Sequence, residues 1–162
     1  PIARDWASVA LFRGPNTAQS SNAATAALAV DSEIVNGSFA NATVAETSTG
    51  DDKPWWQVDL GAVQPISKVR FWAPPQGLAD FVLLVSDNNF IDMPNHDDPA
   101  SLVGRQDVRA YSMANLGLPA NAPAGEVTTF VTLSNNTPIS GRFVRVQRRD
   151  NTPLRLGEVQ VF

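Results

Sequence analysis

Almost every regular stretch of this chain alternates with a period of two, and Gly, Pro, Asn or Asp stands between one stretch and the next. Alternation of this kind sends successive side chains to opposite faces of a strand, so it restricts the chain to packed sheets. In ISKVRFW (66–72), Val69 and Phe71 share one face while Lys68, Arg70 and Trp72 share the other. DFVLLVSD (80–87) is apolar on both faces, which predicts a central strand covered on both sides. EVTTFVTLS (126–134) sets Val127, Val131 and Leu133 against Thr128 and Thr132. GRFVRVQRR (141–149) and LGEVQVF (156–162) flank the turn-rich DNTP and read as a terminal hairpin. SVALF (8–12) is a further short strand, and NAATAALAV (22–30) allows a turn or two of helix.

Two long polar stretches, 31–53 and 88–125, lack periodicity. Loops of this length in a compact domain tend to be functional or anchored by an ion. No internal repeat is present. Short strands with long end loops predict an all-β sandwich built from one domain over 1–162.

Composition narrows the function. The net charge is −4, which disfavours nucleic acid as a partner. Cysteine is absent, so disulfides, zinc-thiolate sites and thiol nucleophiles are excluded together. No apolar run is long enough to span a membrane. PIARDW at the start carries no targeting pattern and the chain closes on the strand-like EVQVF. Both ends predict a module cut from a larger secreted protein of bacterial type. His96 is the single histidine, and neither a GxSxG elbow nor a phosphate loop accompanies it. Paired-carboxylate glycoside chemistry stays open in principle, but the balance favours a binding module over an enzyme.

KPWWQVDLG (53–61) sets two tryptophans side by side, and one sheet face cannot bury both. Together with PISKVRFW (65–72), FVLLVSD (81–87) and the closing GRFVRVQ and LGEVQVF, this stretch resembles the discoidin-like superfamily. That group holds coagulation factor V/VIII C-type domains, discoidin-type carbohydrate-binding modules and F-type lectins (fucolectins). The resemblance implies a jelly-roll β-sandwich of galactose-binding-domain type, with about eight strands and a ligand site in the loops at one end. It implies that Trp56 packs the core and that Trp55 lies at the mouth, either as a lid on a loop or as a ligand platform.

Fucose-binding members carry a histidine upstream of PWW and then Arg-x-Asp followed by a second basic residue. Here Thr47 stands at the histidine position, and APPQGL follows RFW where the basic residues belong. RRDNTPLR (148–155) matches the letters, with Arg148, Asp150 and Arg155, but in the last hairpin, so the match reads as coincidence. Arg142, Arg145, Arg148, Arg149 and Arg155 nonetheless crowd a short span, either a solvated face or a surface for an anionic glycan. Parity gives a second candidate set: Trp72, on the face of Lys68 and Arg70, with Gln76 and Asp80 beside it, unless the APPQG loop covers the ring.

The superfamily often holds a structural calcium. The resemblance implies ligands at Asp31 and Glu158, with Leu28, Glu33, Gly157 and Thr43 completing an oxygen shell. The alternative is that Asp31 caps a turn and Glu158 pairs with an arginine. NHDDP (95–99) also has metal-like letters but reads as a solvated loop. The resulting expectation is a non-catalytic module that binds a glycan or polysaccharide outside the cell. Its competitor is an adhesion or protein-interaction domain using 88–125; a membrane-binding role ranks below both.

Overall fold

The structure, a computed structural model, describes residues 8–10, 16–31, 44–76 and 78–162. Its strands in chain order are β1 (Thr17–Gln19), β2 (Ala45–Glu46), β3 (Trp55–Ile66), β4 (Lys68–Ala73), β5 (Leu78–Ala79) and β6 (Phe81–Ser86). They continue with β7 (Val108–Ser112), β8 (Asn121–Ala122), β9 (Gly125–Phe130), β10 (Ile139–Arg148), β11 (Arg155–Leu156) and β12 (Glu158–Val161). A five-stranded sheet in the order β1-β3-β10-β6-β7 faces a three-stranded sheet, β12-β4-β9. The short pairs β11-β2 and β5-β8 close one end. The sandwich expected from the alternation is what the chain forms.

The core lies between the sheets. Trp56, Val58 and Leu60 of β3, Val144 and Val146 of β10, and Leu83 and Val85 of β6 meet Val69 and Phe71 of β4 and Val159 and Val161 of β12. Phe71 packs edge-on to Phe81 with ring centres 5.5 Å apart, a favoured aromatic geometry. Strand β6 is buried along its whole length, as its two-sided apolarity predicts. Gly141 sits at the irregularity in the β10–β3 ladder, where a Cβ would overlap Val85 Cγ1 and crowd Ile66 Cδ1. Only glycine leaves room there for the Val85 side chain of β6.

Three expectations change. The final two strands do not form a hairpin: β10 has β3 and β6 on its two edges, so β12 pairs with β4 in the other sheet. The span 149–157 therefore crosses the end of the sandwich. Within the expected first strand, Val9 and Ala10 lie in a turn, with Val9 N–H donating to Val161 O at 2.9 Å, while 11–12 lie outside the described residues. Residues 88–125, read as aperiodic, contain β7 and β8, a helical turn at Phe90–Asp92 and a helix at Pro99–Val103. The alanine-rich segment is a 3-10 helix, Ala23–Val30.

Residues 88–107 cross the outer face of the five-stranded sheet as a strap. Phe90, Met93 and Leu102 from the strap bury a second apolar cluster with Val82, Leu84, Phe143 and Val108. This is why FVLLVSD needs apolar residues on both faces. One face meets the main core and the other meets the strap.

Candidate functional site

Where β4 ends and β10 leaves its sheet, the end loops enclose a cleft of about 310 Å³. Pro74, Leu78, Ala79 and Pro153 supply apolar lining, and Gln76, Asn121, Thr152, Arg148 and Arg155 supply polar groups. The β5–β8 pair, with Leu78 opposite Ala122, fixes one wall. The segment between β10 and β11 forms the other.

Asp150 organises that second wall. Arg148 Nε and Nη2 donate to its two carboxylate oxygens at 2.7 and 2.9 Å, and Thr152 donates from N–H and Oγ1 at 3.1 and 3.3 Å. The four bonds fill the carboxylate's acceptor positions and turn the chain back. Donation from Arg148 holds the Asp150 carboxyl below its usual range, against the opposing effect of burial. Arg155 is held by Glu46 Oε1, at 2.9 Å from Nε and 2.7 Å from Nη2. Arg149 pairs with Asp80 at 3.1 Å on the exposed side. Asp80 has φ of 47°, a left-handed conformation that aspartate tolerates.

The structure sorts the candidate ligand residues. Gln76 is exposed and lines the cleft. Asp80 is engaged by Arg149 beside it. Thr47 is buried and ties β2 to the far wall, its Oγ1 accepting from Leu154 N–H at 2.8 Å. Trp72 has the predicted parity but is only 7% exposed, so no ring face is offered to a sugar. Arg70 is also buried and pairs with Glu126 at 3.1 Å. Its guanidinium carbon lies 5.1 Å from the Phe162 ring centre.

Trp55 stands at the end of the sandwich as expected, yet it is 5% exposed beneath the strap. Its Nε1 donates to Asp97 Oδ1 at 3.1 Å, and its face carries the Arg145 guanidinium, whose carbon is 4.0 Å from the ring centre. It is a platform for an arginine of its own chain. Asp98 caps the short helix through Ala100 N–H at 3.2 Å and pairs with Lys53 at 3.4 Å. The NHDDP segment is thus an anchored strap rather than a solvated loop. Between it and the 51–53 turn lies a second cleft of about 390 Å³, lined by Ser20, Asp51, Asp52, Lys53, Asp97 and Asp98.

The arginine cluster does not form one surface. Arg142 pairs with Asp59 at 2.7 Å in β3, Arg145 is buried under the strap, and Arg148, Arg149 and Arg155 each hold a carboxylate at the cleft end. RRDNTPLR, discounted as a coincidental spelling, nevertheless places Arg148, Thr152, Pro153 and Arg155 on the cleft. Its position in the last crossover brings it there by a different route from the lectin loop. The signal for it was the local density of arginine, proline and threonine between two strands.

For the metal candidates, the 3-10 helix carrying Leu28 and ending at Asp31 packs against β12, where Glu158 is 1% exposed next to Gly157. Glu33 and Thr43 lie outside the described residues. Among the described residues no group of three or more His, Cys, Asp or Glu is arranged to hold an ion.

Fold and end cleft together define a galactose-binding-type β-sandwich module. The chain belongs to the NedA-like, galactose-binding domain family, whose model matches residues 29–146. This bears out the discoidin-like, F5/F8 C-type resemblance. Among solved structures, the chain is similar to a Streptococcus pneumoniae fucose binding module, with 23% identity, TM-score 0.68, and 96% of this chain and 94% of that one covered. It is also similar to the lectin domain of lectinolysin complexed with Lewis B antigen, at 26% identity and TM-score 0.62, covering 96% and 95%. A third is the chitosan-binding module 1 of a Paenibacillus sp. IK-5 chitosanase/glucanase, at 18% identity and TM-score 0.61, covering 96% and 98%. No curated protein matches the sequence.

Proposed function

We propose that this chain is a non-catalytic carbohydrate-binding module that takes a glycan in the cleft between Gln76, Asn121 and the Arg148–Arg155 crossover. The carrying observation is that these polar groups are not used up by the fold. Among the described residues the Gln76 and Asn121 amides make no side-chain hydrogen bond, and each cleft arginine keeps N–H groups outside its ion pair. Free amides and half-used guanidinium groups above an apolar floor suit a sugar, which has hydroxyls on its edges and an apolar face. The similar structures that bind fucose, Lewis B antigen and chitosan support the reading.

Gln76→Ala and Asn121→Ala remove cleft amides and touch no core contact. Each is expected to weaken retention on the bound glycan about tenfold, one hydrogen bond's worth, with the melting temperature unchanged. A glycan array followed by affinity electrophoresis measures this. The reading fails if the folded domain retains no glycan, or if both variants bind as the parent does.

The same reading places the domain outside the cell, attached to a larger protein that degrades or adheres to polysaccharide. No helix among the described residues is long and apolar enough to cross a membrane. A structural calcium belongs to the proposal: carboxylates of Asp31 and Glu158 and carbonyls of Leu28 and Gly157 would supply the hard oxygen donors the ion prefers, with Glu33 and Thr43 as further candidates. Bound calcium would tie the end of the 3-10 helix at Asp31 to β12. Saturating calcium is expected to raise the melting temperature by several degrees over EDTA, since binding at about 100 times Kd adds about 2.7 kcal/mol. Identical melting curves in calcium and EDTA would remove the ion from the proposal.

A further inference from the structure

We propose that Glu46 and Asp150 set the charge class of the ligand: by holding Arg155 and Arg148 in ion pairs, they make the cleft selective for uncharged sugars and closed to carboxylated or sulfated ones. The inference rests on the sugar-binding reading above and gives it a specificity.

Taken alone, the sequence points the other way, because clustered arginines suggest an anion site. The geometry cancels that charge locally. Arg148 grips both oxygens of Asp150 at 2.7 and 2.9 Å, and Arg155 places Nε and Nη2 on Glu46 at 2.9 and 2.7 Å. The neighbouring Arg149 is matched by Asp80 at 3.1 Å. A ligand carboxylate approaching either cleft arginine would face a carboxylate already on the same guanidinium. It would have to displace an intramolecular partner of high effective concentration, or accept the repulsion of a second anion. The Arg148 side chain is only 8% exposed, so its guanidinium has little room to turn from Asp150 toward a second anion. Donation from Arg148 also keeps Asp150 ionised into more acid solution, so mild acid does not open the site to anions.

A neutral sugar meets no such barrier. A guanidinium has five N–H groups and a two-point pair uses two, which leaves donors for hydroxyl oxygens. Asp150, saturated by Arg148 and Thr152, acts through its charge alone. Glu46 holds Arg155 through one oxygen and is the carboxylate whose removal least disturbs the crossover.

The test uses heparin as the anionic probe, at low ionic strength, together with the neutral glycan identified on the array. Wild type is expected to ignore heparin, and Glu46→Gln to gain retention on it by about fivefold or more, with the gain abolished by salt. Asp107→Asn removes the same charge and releases Arg105, with which it pairs at 2.8 Å, but neither residue lines the cleft, and it is expected to leave heparin retention at the wild-type level. Equal gains in the two variants would mean that net charge alone acts, which overturns the proposal. So would wild-type heparin binding that Gln76→Ala abolishes, or no gain in Glu46→Gln. A wild type that retains no neutral glycan sinks the sugar reading itself, whereas neutral binding with an unresponsive Glu46→Gln sinks only the charge filter.

Discussion

Trp56→Ala is expected to destabilise the domain by about 3–5 kcal/mol, a large share of the roughly 5–15 kcal/mol that holds a domain of this size folded. Trp56 is 1% exposed and is the largest fully buried side chain among the described residues. It faces the space between the two sheets, opposite Gln19 on β1 and Val146 on β10. Its removal leaves a cavity that two hydrogen-bonded sheets cannot collapse to fill. The indole Nε1 also donates to Ala26 O at 2.9 Å, so the variant loses a buried hydrogen bond to the 3-10 helix as well. Trp56→Phe keeps most of the volume and is expected to lose less. Urea denaturation followed by circular dichroism reads the difference, with an unchanged slope as the sign that the unfolding unit is the same. A loss below about 1.5 kcal/mol for Trp56→Ala would contradict the packing described, because that is the range of a partly exposed side chain.

The neighbouring Trp55 shows how far sequence carries. Period two requires that the two rings face opposite ways, and they do: Trp56 enters the inner core and Trp55 the outer face. The pattern does not say that the outer face is covered. That depends on the strap, whose Phe90, Met93 and Leu102 are separated by polar residues and follow no period. The same blindness explains Trp72, placed on the correct face but buried, with β11 packed against β4. It also explains β7, whose VRAYS alternation is readable once the surrounding polar stretch is not dismissed as loop. Strand identities and the core were legible because burial between sheets leaves a strict chemical record. The cleft was only half legible. Gln76 follows from its place after β4, whereas Arg148 and Arg155 reach the site because β12 joins the other sheet, a topological fact that local spacing does not encode.

Arg145→Met is expected to cost about 3 kcal/mol and to loosen the strap, although it replaces a buried charge with an apolar side chain of similar length. Arg145 is 0% exposed and lies between the Trp55 and Phe90 rings, at 4.0 and 5.0 Å from their centres. Its N–H groups reach Gln57 Oε1 at 2.9 and 3.1 Å, His96 O at 2.8 Å and Gln147 Oε1 at 3.3 Å. Among the described residues no carboxylate pairs with it directly. Burial therefore lowers its pKa to about 9, with the nearby Asp97 charge acting in the opposite direction. Two effects compete on substitution. Methionine removes the cost of burying the charge, but it strands two buried acceptors and one part-buried acceptor at once and gives up the cation–π stack. The stranded acceptors outweigh the relief, because nothing else among the described residues donates to His96 O. Arg145→Met/Gln57→Leu, which also removes the acceptor with two of the bonds, is expected to recover part of the loss. Lysine is no substitute, since a point charge cannot lie flat on Trp55 while spanning Gln57 and His96. Hydrogen exchange should show faster amides across 90–103 in Arg145→Met while β3 and β4 stay protected. The pH dependence has a definite sign. The folded pKa is below the unfolded one, so this group's contribution to stability rises with pH above about 9 and is lost as pH falls through it. The stability gap between wild type and Arg145→Met should accordingly widen in alkaline solution. An Arg145→Met variant as stable as the parent, with unchanged strap exchange, would show that the apolar cluster alone holds the strap to the sheet.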